Sequence, residues 1–299
     1  MDWLAQMNSA LDYIEENLMG EVDYAVAARK ACCSSFNFQR MFSFITGTSL
    51  AEYVRRRRLT QAGIELQNSS IKVLDLAVKY GYDSGVAFSR AFQAVHGITP
   101  TQARTAGVTL KAYPRISFQI TIKGVQPMNY RIETKEAFQM FGLEGVFHPD
   151  KENESAPRTP HDLWVQSQAN GEYRRLFQNA GGLPSYVSPE LCRLHGACGY
   201  RKTEGDTFPY MLGAFVGPAS KTEGYTVVDI PAYTWVIFPS EKGSWDNIGD
   251  VIENLYKRVY SEWLPTSGYE LLEGVDLEIY GGTDGEGYIE LWFPVKKRG

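Results

Sequence analysis

Two glutamates and three aromatic residues near the C-terminus are spaced so that they can work together. Glu278 and Tyr280 stand in the run VDLEIY, and Tyr288, Glu290 and Trp292 in the run YIELWFPV, with the glycine-rich GGTDGEG between them. Successive side chains of a strand face opposite ways. A turn centred near Asp284 would therefore set Glu278 opposite Glu290 and Tyr280 opposite Tyr288. Trp292 completes a face of two carboxylates and three aromatics, while Leu277, Ile279, Ile289, Leu291 and Phe293 form an aliphatic face to lie against helices. Carboxylates among aromatic rings suit a flat or bulky cation. A solvated sheet face has the same composition. A general acid and base pair would need two such carboxylates as well, but no flanking nucleophile or metal motif accompanies these.

A second group of side chains could read nucleic acid. Ser35, Phe36, Asn37, Gln39, Arg40 and Ser43 fall on one side of a helical pattern, and Ser84, Gly85, Val86, Ser89, Arg90 and Gln93 on the same side of another. Gln and Arg on the N-terminal half of such a helix pair bidentately with adenine and guanine edges in a major groove.

These tips need helices beneath them, and the chain supplies the same unit twice. Ser34, Phe38, Arg40, Phe42 and Gly47 recur fifty positions later as Ser84, Phe88, Arg90, Phe92 and Gly97, the signature of a duplicated element. Each copy reads as a short helix, a turn, and a second helix opened by a capping serine and closed by a glycine. The first copy runs from about Asp23, turns at Cys32 and Cys33 and restarts at Ser34. The second runs from about Ile71, turns at Gly81 and Tyr82 and restarts at Asp83 or Ser84. Phe38, Met41, Phe42 and Ile45, then Phe88, Ala91, Phe92 and Val95, give each second helix one apolar face. A connecting helix, about Leu50 to Gln67, carries Arg55, Arg56, Arg57 and Arg58 in a row. At about 100° per residue at most two of these can meet one duplex, and the others are expected to pair with Glu52 or lie on solvent. An opening helix places Leu4, Met7, Leu11, Ile14 and Leu18 on a stripe that closes over the first copy.

The segment from Glu21 to Arg104 resembles the tandem helix-turn-helix DNA-binding domain of AraC-family transcription regulators. The resemblance rests on SSFNFQRMFSFITGTSLAEYVRRRRLTQAGIEL, on VLDLAVKYGYDSGVAFSRAFQAVHGITPTQAR, on the spacing of Arg58, Leu59, Ala62 and Leu66, and on the closing Gly97, Thr99-Pro100 and Arg104. It implies that Ser35, Phe36, Gln39 and Arg40 face one major-groove segment and that Ser84, Gly85, Val86, Ser89 and Arg90 face the next. Gly85 and Val86 depart from a hydrogen-bonding pattern, so the second helix is expected to contribute less direct readout and more contact with phosphates or thymine methyls.

A chain of 299 residues with 43% apolar content suits two domains, and the net charge of -5 hides a split. Residues 1–106 carry 11 Lys and Arg against 10 Asp and Glu, the remainder 19 against 25. An acidic C-terminal half is a poor DNA surface and a suitable one for cations. Cys32 and Cys33 are adjacent, Cys192 and Cys198 stand apart, and His195 beside them leaves a metal site short of a fourth ligand. No metal and no cofactor is expected. No stretch has membrane-spanning length and no signal-peptide pattern opens the chain, so the expected place is the cytoplasm, with no membrane partner.

After Arg104 the chain changes character. Residues 107–127 read as a linker and lead-in strand, dividing a helical domain at 1–106 from an α+β domain at 128–299. Within the latter, Tyr130, Ala137 and Phe138 recur as Tyr225, Ala232 and Tyr233, each set followed by a helix, about Pro160 to Ala180 and about Ser244 to Trp263, and then by two strands. The unit is strand, strand, helix, strand, strand, twice over. HPDKENESAPRTP is a solvated insertion in the first copy.

Met128 to Lys297, on DLEIY, YIELWFPVKK and this repeat, looks like a GyrI-like effector-binding domain, the two-copy fold that holds multidrug or small-molecule ligands between its halves. The resemblance implies Glu278 or Glu290 as the pocket carboxylate. Together the two halves imply a ligand-responsive transcription regulator, whether activator or repressor, rather than an enzyme. Its expected partners are double-stranded promoter DNA and a small cationic or aromatic effector, with RNA polymerase and a second copy as further candidates. A small-molecule hydrolase with an accessory DNA-binding half, using Glu278, Glu290, Tyr280 and Tyr288, and a constitutive DNA-binding regulator are the alternatives.

Overall fold

Local capping chemistry sets out the helical half. In the computed structural model, which describes residues 3–119, 127–148, 157, 159–204, 207–283 and 285–298, the chain divides into two compact units, Met1–Thr121 and Ile122–Gly299. The first holds α1 (Trp3–Glu16), α2 (Tyr24–Lys30), α3 (Ser35–Thr46), α4 (Leu50–Asn68), α5 (Val73–Lys79) and α6 (Gly85–His96). The Ser34, Ser49 and Ser84 hydroxyls accept from the backbone N–H groups of Asn37, Glu52 and Ala87, and Asp23 accepts from Ala25 and Val26, satisfying N–H groups a helix leaves free. Gly47 and Gly97 close α3 and α6 at φ 67° and 80°, left-handed values that only glycine adopts without strain. Phe38 and Phe42, and their repeats Phe88 and Phe92, are fully buried.

Of the expected linker and lead-in strand at 107–127, residues 120–126 lie outside the described residues. Residues 107–119 form neither a free linker nor a strand. They run as an extended strap along the helical unit. Tyr113 N–H donates to Thr60 Oγ1, the Gln67 amide donates to Val108 O, and Ile116 N–H donates to Tyr53 Oη. The Asn8 side chain clamps both backbone groups of Phe118, at 2.9 and 3.0 Å. Leu110 and Tyr113 pack on the core of the second copy, and the Phe118 ring meets Trp3 and Phe42 of the first. One strap thus touches both helical copies.

The second unit holds β1 (Arg131–Lys135), β2 (Phe138–Phe147), α7 (Pro160–Ala169), α8 (Glu172–Asn179), β3 (His195–Cys198), β4 (Phe208–Phe215), β5 (Thr226–Ile230), β6 (Tyr233–Pro239), α9 (Ile248–Arg258), β7 (Tyr269–Leu271), β8 (Asp276–Gly282) and β9 (Gly287–Lys297). A turn at Gly171 splits the expected first helix, and a π turn, Val259–Trp263, extends the second. The acidic insertion lies largely outside the described residues. The antiparallel sheet runs β1-β6-β9-β8-β3-β4-β2-β5, with β7 on β9. Exchanging β1 with β5, β6 with β2, β9 with β4 and β8 with β3 leaves this order unchanged, so the two copies are related about an axis between β8 and β3. Each copy's first strand pairs with the second strand of the other.

The closing hairpin departs from the expected register by one residue. Gly282 pairs with Gly287, and Thr283 N–H donates to Glu286 O across a four-residue loop. The Asp284 on which the expected turn was centred lies outside the described residues. Gly282 has φ 125°, and a Cβ there would meet Glu286 O at 2.2 Å, so glycine permits this closure. Glu278 consequently pairs with Leu291 rather than Glu290, and Tyr280 with Ile289 rather than Tyr288. A one-residue shift moves every side chain of one strand to the other face. Glu278 and Tyr280 share a face with Ile289, Leu291 and Phe293, and Tyr288, Glu290 and Trp292 share the opposite face with Leu277 and Ile279.

A buried ion pair ties α1 to α4. Arg57 donates through Nε and Nη2 to the Glu15 carboxylate at 2.7–3.1 Å and through Nη1 to Tyr113 O, and Tyr53 Oη donates to the same carboxylate at 2.6 Å. Burial alone would raise the Glu15 pKa, but the donors from Arg57 and Tyr53 outweigh it and hold it below 4.5. A depressed folded-state pKa gives stability that is present above the unfolded value and lost as pH falls through the folded one. Replacing Arg57 by Met is expected to cost about 3–5 kcal/mol, because a buried carboxylate loses its partner. Thermal melts of the full chain should show the wild type losing stability as pH falls below 4.5, and the Arg57→Met protein losing much less over that span.

Candidate functional site

The outward tips of α3 and α6 differ from a simple exposed row. On a helix, Arg40 and Arg90 lie about 200° from Phe38 and Phe88, opposite the apolar face. Arg90 is exposed, and Arg40 is half-buried because its guanidinium lies over the Phe36 and Phe44 rings. Gln39 is only about 100° from Phe38, on the flank of the apolar stripe. It is 2% exposed, and its amide donates to Ser35 Oγ at 3.2 Å. The expectation that Gln39 and Asn37 point outward is therefore corrected: both are buried. In the second copy Ser84 is the cap, Ser89 Oγ donates to Gly85 O at 2.7 Å, and Val86 is 63% exposed.

None of the four consecutive arginines of α4 stands clear of the protein. Arg55 and Arg56 share Glu52 at 2.6 and 2.5 Å, Arg57 is held by Glu15, and Arg58 donates to the carbonyls of Leu18 and Gly20. The pairing with Glu52 follows the i, i+3 and i, i+4 spacing. The burial of Arg57 needed the fold.

In the second unit the glutamate of β8 and the glutamate of β9 occupy different chemistry. Glu278 is 8% exposed and sits on β8 beside the axis relating the two copies. Its carboxylate accepts from Tyr210 Oη at 2.9 Å, Tyr256 Oη at 3.2 Å and Tyr280 Oη at 3.4 Å, and Trp164 Nε1 donates to Tyr210 Oη at 2.8 Å. Trp164 comes from α7 and Tyr256 from α9, so both helices and the sheet converge on this carboxylate. The Trp164 ring packs edge-on against Tyr280 at 5.1 Å, and Tyr256 against Phe293 at 5.7 Å. Burial first, and the Glu278 charge second, hold the Tyr210 and Tyr280 phenols well above their usual pKa, so they stay protonated and donate. Gly196 pairs with Glu278 across the axis. A Cβ there would meet Tyr210 Oη at 2.5 Å and Glu278 Oε2 at 2.8 Å, so the missing side chain makes room for the cluster.

Glu290, 7% exposed, is neutralised by the protein itself. Arg131 grips it bidentately at 2.8 and 2.8 Å, and Trp292 Nε1 donates at 2.8 Å. Lys135 lies 4.6 Å over the Trp292 ring and bonds Glu133. Trp292 packs on Trp235 at 6.0 Å within the apolar core, while Tyr288 is partly buried at its margin. The five residues expected on one ligand face are therefore divided between two faces.

Tyr210, Tyr256, Trp164 and Gly196 went unrecognised in the sequence. Tyr210 lies on β4, one of the two strands expected after the first helix, but Trp164 and Tyr256 occupy positions indistinguishable from ordinary helix packing. His195 is fully buried, its Nδ1 accepts from Tyr280 N–H at 3.2 Å, and burial pushes its pKa down to about 3. Among the described residues no group of three His, Cys, Asp or Glu could hold a metal ion, and no helix is long and apolar enough to cross a membrane.

Residues 131–295, more than half of the chain, match the family of integron-associated effector binding proteins called Cass2, and residues 27–106 match a helix-turn-helix domain. The transposon Tn10 TetD protein of Escherichia coli is 38% identical over 98 residues, covering 33% of this chain and 71% of TetD. The HTH-type transcriptional activator AarP of Providencia stuartii is 37% identical over 98 residues, covering 33% of this chain and 73% of AarP. The integron cassette protein from the mobile metagenome of Vibrio cholerae overlays with TM-score 0.39 at 12% identity, covering 56% of this chain and 95% of that protein. The chain belongs to the AraC-type helix-turn-helix transcription regulators, and its second unit to the Cass2, GyrI-like effector-binding family.

Proposed function

We propose that this regulator binds promoter DNA through α3 and α6 and that a small hydrophobic cation, seated against Glu278, modulates that binding. The observation that carries the proposal is the Glu278 carboxylate beneath α7 and α9, surrounded by the phenols of Tyr210, Tyr256 and Tyr280 and the ring of Trp164. A cation can take over the carboxylate from these hydroxyl donors and can stack on the same rings. Glu290 offers no such opening, because a guanidinium already holds it. Tyr288, Glu290 and Trp292 then serve the core and its margin, and Glu278 and Tyr280 serve the ligand.

On the DNA side, Ser35, Phe36 and Arg40 of α3 and Val86, Ser89 and Arg90 of α6 are the groups available to a duplex, with Ser84 and Gly85 at the cap. Gln39 supports α3 from within. Effector and DNA are coupled if the ligand stabilises one state of the protein over another. The expected coupling is about 1–3 kcal/mol, or about 5- to 150-fold in promoter affinity.

Titration of the full chain with rhodamine 6G, followed by fluorescence, tests the sensor. Glu278→Gln should weaken binding by about tenfold or more, and Gly196→Ala should weaken it as well by displacing Tyr210. Glu290→Gln should lower the melting temperature and leave the dye affinity within about twofold. Equal dye affinity in wild type and Glu278→Gln would remove the proposed site. For DNA, binding-site selection followed by anisotropy should show Arg40→Ala losing about 1–3 kcal/mol and its preference at one base position. Gln39→Ala should instead lower the melting temperature while keeping the base preference; the reverse pattern would exchange their roles.

A further inference from the structure

We infer that Phe36 and Phe44 are positioning residues for Arg40, fixing its guanidinium so that α3 discriminates guanine more sharply than α6 does; the inference rests on the proposed DNA-binding role of these helices. The three side chains stand at i-4, i and i+4 on α3, where a helix brings neighbours one above the other. The Arg40 guanidinium carbon lies 5.5 Å from the Phe36 ring centroid and 5.7 Å from that of Phe44. Both rings are themselves only half-buried, so they form a ladder on the side of α3 opposite Phe38 and Phe42.

The duplication supplies an internal control. Arg90 occupies the matching position of α6, yet its neighbours at the same spacing are Val86 and Ala94. Arg90 is exposed, whereas Arg40 is not. Two arginines in the same place on two copies of one fold therefore differ in how far their side chains are pre-arranged. Bidentate recognition of guanine requires the guanidinium plane to meet the O6 and N7 edge in one orientation. An arginine already held between rings loses less freedom on adopting it. An unheld arginine meets phosphates as readily as bases, which adds affinity without sequence preference. The rings thus assign sharp readout to the first copy and a more general grip to the second. Arg40 simply covering two rings with its apolar stem would leave the same contacts without that consequence, and the two cases separate by experiment.

The measurement uses the full chain and a duplex obtained by binding-site selection with the wild type. The discrimination ratio is the Kd for a duplex with the Arg40-dependent guanine replaced, divided by that for the selected site. Phe44→Leu is expected to lower this ratio about two- to fivefold, leaving affinity for unrelated duplex unchanged. Phe44→Tyr, which keeps a ring, should retain the ratio. Phe44→Met repeats the test should the Leu variant fail to fold. Ala94→Phe should raise the corresponding ratio at the base read through Arg90. An unchanged ratio in Phe44→Leu, or an equal weakening on every duplex accompanied by a lower melting temperature, overturns the positioning role. If Arg40→Ala itself leaves the selected preference intact, the reading of α3 as the base-contacting helix fails first, and the positioning role falls with it.

Discussion

The second unit turns on a carboxylate kept beneath helices by tyrosine hydroxyls. A buried charge is costly unless donors surround it. Here Tyr210 comes from β4, Tyr256 from α9 and Tyr280 from β8, so the cost of burying Glu278 is offset only when strands and helices of both copies are assembled. The cluster is consequently a report on the state of the whole unit. Anything that draws the hydroxyls away from Glu278, or replaces them with a stronger partner, acts on both α7 and α9.

The approximate two-fold relation between the copies explains why this place is available. Exchange of the first strands, β1 onto β6 and β5 onto β2, locks the copies together, and leaves β8 and β3 to meet at the centre. Strict symmetry would put like side chains opposite each other there. Instead Gly196 faces Glu278, so one copy gives the carboxylate and the other gives the space. Departure from symmetry also governs the opposite face, where Arg131 from an edge strand closes on Glu290. Two glutamates with similar local surroundings in sequence are thus held differently, Glu278 by tyrosine hydroxyls and Glu290 by a guanidinium.

The helical unit shows the same economy of long-range contacts. Its copies share serine-capped second helices, but the interaction joining α1, α4 and the strap is the Glu15–Arg57 pair with Tyr53 and Tyr113. The strap passes from the core of the second copy to that of the first before the chain leaves the unit. The mutual arrangement of α3 and α6 is therefore tied to a segment lying outside both helix-turn-helix copies.

The amino-acid sequence by itself determined the paired helices of the first unit and most of their ends, because these depend on interactions over four residues or fewer: serine caps, glycine closures and apolar residues at helical spacing, and it showed the two duplications directly as recurring residues. It also pointed to Glu278 and Glu290 as the carboxylates of interest. Only the tertiary structure decided between their environments. One residue of hairpin register, allowed by Gly282 at φ 125°, turns Glu278 toward the helices and Glu290 away from them, and alternation in a strand converts that small step into a change of face. The burial of Gln39, the capture of Arg57 by Glu15 and the folding back of residues 107–119 were hidden as well. The last two depend on partners distant in the chain, and Gln39 stands on the flank of an apolar stripe, where spacing alone carries no record of whether the residue will be covered.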